Sequence, residues 1–407
     1  MESTIDPTAV RDPQALDAAD PLARFRDQFV PTEPGLVYLD GNSLGRPTKV
    51  ALDRIASLGE QWAERMIRGW DDGWLGLPLG VGDQLATGVL GAGPGTVAVT
   101  DSTTVNLYRL ASAALAARPD RRTVVIERSE FPTDRYIVEG LARERDLEIR
   151  WLDGDSVEGL TPEGISAHLD EDVALLILSA VNYRSAAIVD IQATTDAARG
   201  AGALVLWDLS HAAGSLPVDL DTNGVDLAVG CTYKYLNGGP GAPAFLFVRR
   251  ELQDELRPPI QGWFAQSNQF EMGPRFERHA GIGGWLVGTP PIIALTAAQA
   301  GVEVVAEAGI GAIRAKSTML TEYAVGLFDA WLAPHGCSLG SPRDSARRGG
   351  HISIRHADAR RLAHALIDRN VIPDFRAPDS IRIGLSPLTT SFEDVHRGLA
   401  ALRDLLA

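Results

Sequence analysis

Short runs of β-branched and apolar residues recur through the middle of the chain: TVAVT (96–100), TVVIE (123–127), EIRWL (148–152), ALLILS (174–179), ALVLWD (203–208), DLAVG (226–230) and AFLFV (244–248). Between most of them lie stretches rich in Ala, Leu, Arg and Glu with apolar positions at helical spacing, such as TTVNLYRLASAALAA and DRYIVEGLARER. Strands that are apolar throughout suit burial on both faces. Their alternation with helices predicts an α/β domain with a mostly parallel sheet covered by helices. After about residue 290 the pattern changes: PPIIALTAAQAGVEVVAEAG and GAIRAKSTMLTEYAVGLFDAWLA read as long helices, and GGHISIRH and SIRIGLS as strands around the helix ADARRLAHALIDRN. We therefore expect a large α/β domain over residues 38–292 and a smaller α+β domain over 293–407. An N-terminal segment, 1–37, is expected to pack on the smaller one through a helix near PLARFRDQF.

Composition narrows the class without changing this picture. A chain of 407 residues is enzyme-sized, and 38 Lys and Arg against 53 Asp and Glu give a net charge of −15, so nucleic acid and anionic membrane are poor partners. The N-terminus has no basic segment followed by an apolar one, and VALLILSAV is too short to span a bilayer, which predicts a soluble, cytoplasmic protein. Two cysteines, Cys231 and Cys337, cannot build a disulfide framework, and the eight histidines lack metal-ligand spacing, so no metal is expected.

Three stretches carry candidate chemistry. In VTDSTTVNLYRL (99–110), polar residues follow a strand and precede a helix. This is either a plain capped helix or a phosphate site made by the first-turn N–H groups and the hydroxyls of Thr103 and Thr104. In LVLWDLSHAAG (204–214), Asp208 ends an apolar strand and His211 follows three residues on. A capping aspartate with a packed histidine is one reading, and a ligand site at the carboxyl end of a parallel strand is the other. In GCTYKYLNGGPGAPAF (230–245), Lys234 ends the next apolar run. Jointly these supply a phosphate cradle, an anion for a protonated ring nitrogen and an amine for a Schiff base, the set that pyridoxal 5′-phosphate requires.

At this point the chain resembles fold type I pyridoxal-phosphate enzymes, class V aminotransferase-like, and within them the bacterial-type kynureninases. The resemblance runs nearly end to end: YLDGNSLG (38–45), RGWDDGWLGLPLGVGD (68–83), DSTTVNLYRL, FPTDRY (131–136), VNYRSA (181–186), WDLSHAAGSLPVDL (207–220), the lysine segment, GWF (262–264), GTPPI (288–292) and VIPDFRAPDSIRIGLSPL (371–388). It implies a hydrolase that cleaves the Cβ–Cγ bond of L-kynurenine to anthranilate and L-alanine in tryptophan catabolism. It further implies 3-hydroxykynurenine as a candidate second substrate and a homodimer with shared active sites.

The same resemblance assigns roles. Lys234 carries the cofactor as a Schiff base and moves the α-proton, Asp208 holds the ring N–H, and Phe131 stacks on the ring with Pro132, Thr133 and Asp134 completing that wall. Thr103, Thr104, Tyr233 and Trp263 bind phosphate, Trp263 from a second subunit, and Tyr233 also serves late proton transfers. Ser179, His211 and Thr289 line the cofactor site. Arg382 clamps the substrate carboxylate, while Asn42, Ser43, Trp70, Gly288 and Thr289 contact the rest of the substrate.

One departure stands out: where the family continues GWF with Gly-His, this chain has Ala265 and Gln266. Three alternatives stand beside this reading, two of them enzymes and the last of a different class. They are a cysteine desulfurase using Cys337, an enzyme for substituted kynurenines in natural-product synthesis, and a cofactor-binding regulator.

Overall fold

A computed structural model describes residues 11–407; the first ten residues of the N-terminal segment, including any leader, lie outside the described residues. Seven strands form one sheet in the order Val97–Val99, Phe245–Val248, Leu227–Gly230, Leu204–Asp208, Val173–Ser179, Thr123–Glu127, Glu148–Leu152. Only Phe245–Val248 runs against its neighbours; the rest are mutually parallel, with helices in the connections from Val97–Val99 as far as Leu204–Asp208 and turns alone over 209–226.

The inner strands are apolar throughout because helices cover both faces. Along Leu204–Asp208, Val205 and Trp207 enter one core and Leu204 and Leu206 the other, the period-two alternation of a strand. The edge strand Glu148–Leu152 is only half-buried, and its sequence is correspondingly more polar.

A second, antiparallel sheet orders Asp374–Arg376, Ser380–Gly384, His351–Arg355 and Ser338–Leu339. Its core is shared with the helices Ile310–Leu327, Ala359–Ile367 and Phe392–Leu406. The helix Ile292–Ala308, expected in this smaller unit, instead sends Leu295, Val302 and Val305 into the core of the larger one. The reason is its composition: apolar residues ring most of the helix, so it needs cover on several sides. The change of unit falls at Gly309, whose φ of 79° breaks the two helices apart.

The N-terminal segment divides likewise. Leu22, Phe25 and Phe29 join the large core, whereas Val37 and Leu39 join the small one, and Val37–Tyr38 pairs in parallel with Val371–Ile372. Asp17 accepts hydrogen bonds from the Phe392 and Glu393 N–H groups at the start of the C-terminal helix, both 3.0 Å. Asp20 forms a buried ion pair with Lys316 at 2.7 Å.

The helix Lys49–Arg65 lies against Ile292–Ala308 and leaves Leu52 and Trp62 exposed. Among the described residues no single helix is long and apolar enough to cross a membrane, and no cluster of metal-ligating side chains occurs.

Candidate active site

The parallel strands deliver their chemistry at their carboxyl ends, where ligands of open α/β sheets bind. Ser179 and Asp208 are the last residues of adjacent strands and lie in register. Glu130 and Phe131 follow the strand Thr123–Glu127, Lys234 follows Leu227–Gly230, and Thr103 and Thr104 open the helix after Val97–Val99. These ends surround a cavity of about 290 Å³ lined by Ser43, Thr103, Thr104, Phe131, Thr133, Asp134, Ser179, Asp208, His211, Tyr233, Lys234 and Arg382, all expected from the sequence.

Lys234 Nζ lies 3.0 Å from His211 Nε2 and 5.9 Å from the centre of the Phe131 ring. Burial, then the Lys234 and Arg382 cations, pushes the His211 pKa well below its ordinary value, so its neutral ring accepts from the ammonium. The backbone reaches this point through Gly45. Its N–H donates to the Tyr233 carbonyl at 2.7 Å, and a Cβ there would collide with the Lys234 carbonyl oxygen. The glycine-rich turn after Lys234 lies outside the cavity, where Gly238, Gly239 and Pro240 line an apolar groove.

The cavity floor is acidic. Asp208 accepts from the Ser210 N–H at 2.6 Å. Asp134, in the first turn of Pro132–Arg145, has both oxygens buried without a donor. Burial and then the neighbouring carboxyls of Asp208 and Glu130 raise its pKa well above the ordinary value, so Asp134 is held as the neutral acid. Tyr233 also keeps its proton, because burial raises its phenol.

At the opposite end, Ser102 caps the helix Thr103–Ala116 by accepting from the Val105 N–H at 3.3 Å. The first-turn N–H groups and two threonine hydroxyls are left at the positive end of the helix dipole.

Arg382 comes from the other sheet. It is 1% exposed; Nη1 donates to the Tyr183 carbonyl at 2.7 Å and Nη2 to Ser43 Oγ at 2.8 Å. With its amide turned to satisfy both neighbours, Asn42 donates to Asp40 at 3.2 Å and accepts from Arg382 Nε at 2.9 Å. Asn42 therefore braces the guanidinium from behind and does not line the cavity.

Pro132 is likewise outside the lining, fixing the first turn of its helix. Trp70, Trp263, Gly288 and Thr289 are also absent from it. They gather elsewhere: Phe264 packs on Trp70 and Trp263 with ring centres 5.9 and 4.6 Å apart, and its N–H donates to the Val287 carbonyl at 3.1 Å. Trp263, Gly288 and Thr289 are exposed there. Ala265 is buried, and Gln266 accepts from the Glu277 N–H at 2.7 Å, clipping its own loop without entering the cavity. Cys337 is buried in the small core, away from the cavity, which removes the desulfurase reading that depended on its thiol.

Four residues near the site escaped the sequence reading. Tyr183 stacks edge-on against Phe131 at 5.4 Å, and Arg376 shares Asp374 with Arg382 at 2.7 and 2.6 Å; both lie in the VNYRSA and IPDFR segments, which were the available signal. His351 packs 5.5 Å from His211, fully buried. Its backbone neighbour, the Arg184 carbonyl, is already engaged by Ser353. Glu130, beside Phe131, is buried too.

The family model for the kynureninase C-terminal domain matches residues 313–402. The kynureninase of Pseudomonas fluorescens is 43% identical over 407 residues, covering 98% of this chain and 96% of its own. The chain belongs to the kynureninase family. The kynureninase of Burkholderia pseudomallei is 42% identical over 400 residues, covering 96% of this chain and 94% of its own.

Among solved structures, the apo cysteine desulfurase of Thermococcus onnurineus superposes with a TM-score of 0.83 at 17% identity, covering 94% of this chain and 98% of its own. A C-DES variant with glycine covalently linked to its PLP cofactor gives 0.83 at 20% identity, covering 93% and 99%. These two show the fold of this chain.

Proposed function

We propose that this chain binds pyridoxal 5′-phosphate in the 290 Å³ cavity and hydrolyses L-kynurenine to anthranilate and L-alanine. The observation that carries the reading is the convergence on one cavity of Lys234, the carboxyls Asp134 and Asp208, the Phe131 ring and a helix N-terminus. The donor set fits the cofactor: Asp134 offers buried oxygens without a protein partner, and the threonines offer donors at a positive helix end. Bound there, pyridoxal phosphate supplies the electron sink for charge developing at the substrate's α- and β-carbons.

The protein's own groups do the rest. Lys234 holds the cofactor through Nζ and, once displaced, is placed to move the α-proton. Neutral His211 accepts an N–H from that amine and keeps it oriented. Asp208 holds the ring N–H, with Asp134 as a neutral neighbour. Arg382, braced by Asn42 and Ser43, grips the substrate carboxylate. The Tyr233 phenol, protonated at physiological pH, supplies a proton as the Cβ–Cγ bond breaks and the β-carbon is left carbanionic.

Reconstitution of the purified protein with pyridoxal phosphate is expected to give a visible absorption band, and L-kynurenine to release fluorescent anthranilate with equimolar alanine. A protein that takes up the cofactor yet releases no anthranilate would overturn the substrate assignment. Kynurenine is expected to outrun 3-hydroxykynurenine in kcat/KM, since Trp70, Gly288 and Thr289 follow the bacterial pattern. The same comparison with ring-substituted kynurenines tests the biosynthetic alternative.

We further assign the patch of Trp70, Trp263, Gly288 and Thr289 to the active site of a second copy. It continues, through the Trp70–Trp74 contact at 5.6 Å, into the apolar groove formed by Leu52, Ile55, Trp62, Trp74, Ile292 and Ile293. Exposed apolar surface of this extent marks an interface. Trp62→Glu is expected to shift the protein from dimer to monomer by light scattering and to weaken pyridoxal phosphate binding, because the monomer lacks the partner's Trp263. A Trp62→Glu protein that stays dimeric places the interface elsewhere. In the cell, two free thiols suit the reducing cytoplasm.

A further inference from the structure

Glu130 stands between the end of one strand and Phe131, 2% exposed. Oε1 accepts from the Ser179 N–H at 2.5 Å, Oε2 accepts from the Phe131 N–H at 3.2 Å, and the Ser179 hydroxyl oxygen lies 2.5 Å from Oε2. Among the described residues it has no salt-bridge partner. The ionisable groups facing it are Glu127 at the end of the preceding strand, Asp134 from the helix beyond and Asp208 from the strand on the far side of Val173–Ser179. A buried carboxylate surrounded by carboxyls and lacking a cation is held as the neutral acid. Burial, then Glu127, pushes its pKa up to about 8.

The proton has one good place to go. Two of its three partners are N–H groups, which only donate, and the third, the Ser179 hydroxyl on Oε2, can accept, so the acid hydrogen sits on Oε2 and points at Ser179 Oγ. A hydroxyl that accepts this hydrogen keeps its own hydrogen free to donate into the cavity it lines. Once Glu130 ionises, the 2.5 Å contact requires the Ser179 hydroxyl to donate toward Glu130, away from the cavity.

We propose that Glu130 is a positioning residue whose proton aims the Ser179 hydroxyl at the cofactor and whose loss turns that hydroxyl away. This rests on the reading that pyridoxal phosphate occupies the cavity. Glutamine imitates the acid form toward Ser179: its carbonyl accepts from the Ser179 N–H and its amide donates to Ser179 Oγ, at the loss of the 3.2 Å acceptor for the Phe131 N–H. It locks the hydroxyl toward the cavity at every pH.

The test compares pyridoxal phosphate dissociation constants of wild type, Glu130→Gln, Glu130→Ala and Ser179→Ala on either side of about pH 8. Wild type and Glu130→Gln should agree below that pH, and above it wild type should weaken by up to about tenfold relative to Glu130→Gln. Ser179→Ala should bind weakly at both pH values, and adding Glu130→Gln to it should restore nothing. Equal pH dependence in wild type and Glu130→Gln, or Glu130→Ala indistinguishable from wild type, overturns the proposal.

A readout independent of the cofactor comes from the apoenzyme. The folded-state pKa lies above that of an unfolded glutamate, so between roughly pH 4.3 and the transition near pH 8 the native state holds the extra proton. Stability in that window falls as pH rises. The wild-type melting temperature should therefore fall more steeply across it than that of Glu130→Gln, and identical slopes count against the proposal. If wild type fails to bind pyridoxal phosphate at all, the functional reading fails, while the apoenzyme slopes still report on Glu130.

Discussion

Lys234→Ala is expected to lower kcat for anthranilate release by about 10³-fold and to remove the visible band of the reconstituted protein. Two losses combine: the amine that holds the cofactor and the base that moves the α-proton are one group, 3.0 Å from a histidine that burial keeps neutral. No neighbouring amine substitutes. The two other cations lining the cavity are Arg376 and Arg382, and a guanidinium stays protonated. Small primary amines added to the variant should recover part of the rate. Turnover at the wild-type level in Lys234→Ala would remove this residue from the chemistry.

Arg382→Lys should cost about 10²-fold in kcat/KM even though the charge is kept. The guanidinium uses Nη1 on the Tyr183 carbonyl, Nη2 on Ser43 and Nε on Asn42. An ammonium on a flexible stem reproduces neither this fixed orientation nor the in-plane N–H donors that a carboxylate accepts from. Asp374, 2.6 Å from Arg382 and 2.7 Å from Arg376, would be left with one guanidinium instead of two. The loss should fall mainly on KM, with pyridoxal phosphate binding little changed. A variant whose KM for kynurenine matches wild type would show that the carboxylate is held elsewhere, with Arg376 the first alternative.

Much of the large domain could be read from the chain because its strands are buried on both faces. Runs such as TVVIE and LVLWD are unbroken, and an acid ending such a run at Asp208, or a lysine just past one at Lys234, stands out against them. Strand direction left no comparable mark: AFLFV has the same apolar character as its parallel neighbours yet runs against them. The helix Lys49–Arg65 was missed because it buries only Ala51 while Leu52 and Trp62 are exposed, so its large apolar residues do not mark a core face. The short strands Ser338–Leu339 and Asp374–Arg376 are too brief to show a period.

At the site, residues set in recognisable motifs were found, and those whose role depends on a distant partner were not. Glu130 in a polar junction reads as a surface glutamate until Ser179, 49 residues on, is seen to sit on it. Arg376 gains meaning only from the β-hairpin that brings Asp374 and Arg382 beside it. The four residues Trp70, Trp263, Gly288 and Thr289 are a third kind. Their motifs were legible, but a single chain does not bring them to its own cavity.

The tie between the two ends of the chain bears on how the protein is made. Asp17 and Asp20 leave the ribosome early, yet their partners, Lys316 and the start of the last helix, emerge after most of the chain. Phe25 and Phe29, buried when folding is complete, emerge equally early. Arg382 and its brace at Ser43 are separated in the same way, 339 residues apart. Contacts of such sequence separation form slowly. The cavity has no carboxylate grip until translation is nearly finished, because Arg382 is among the last residues made.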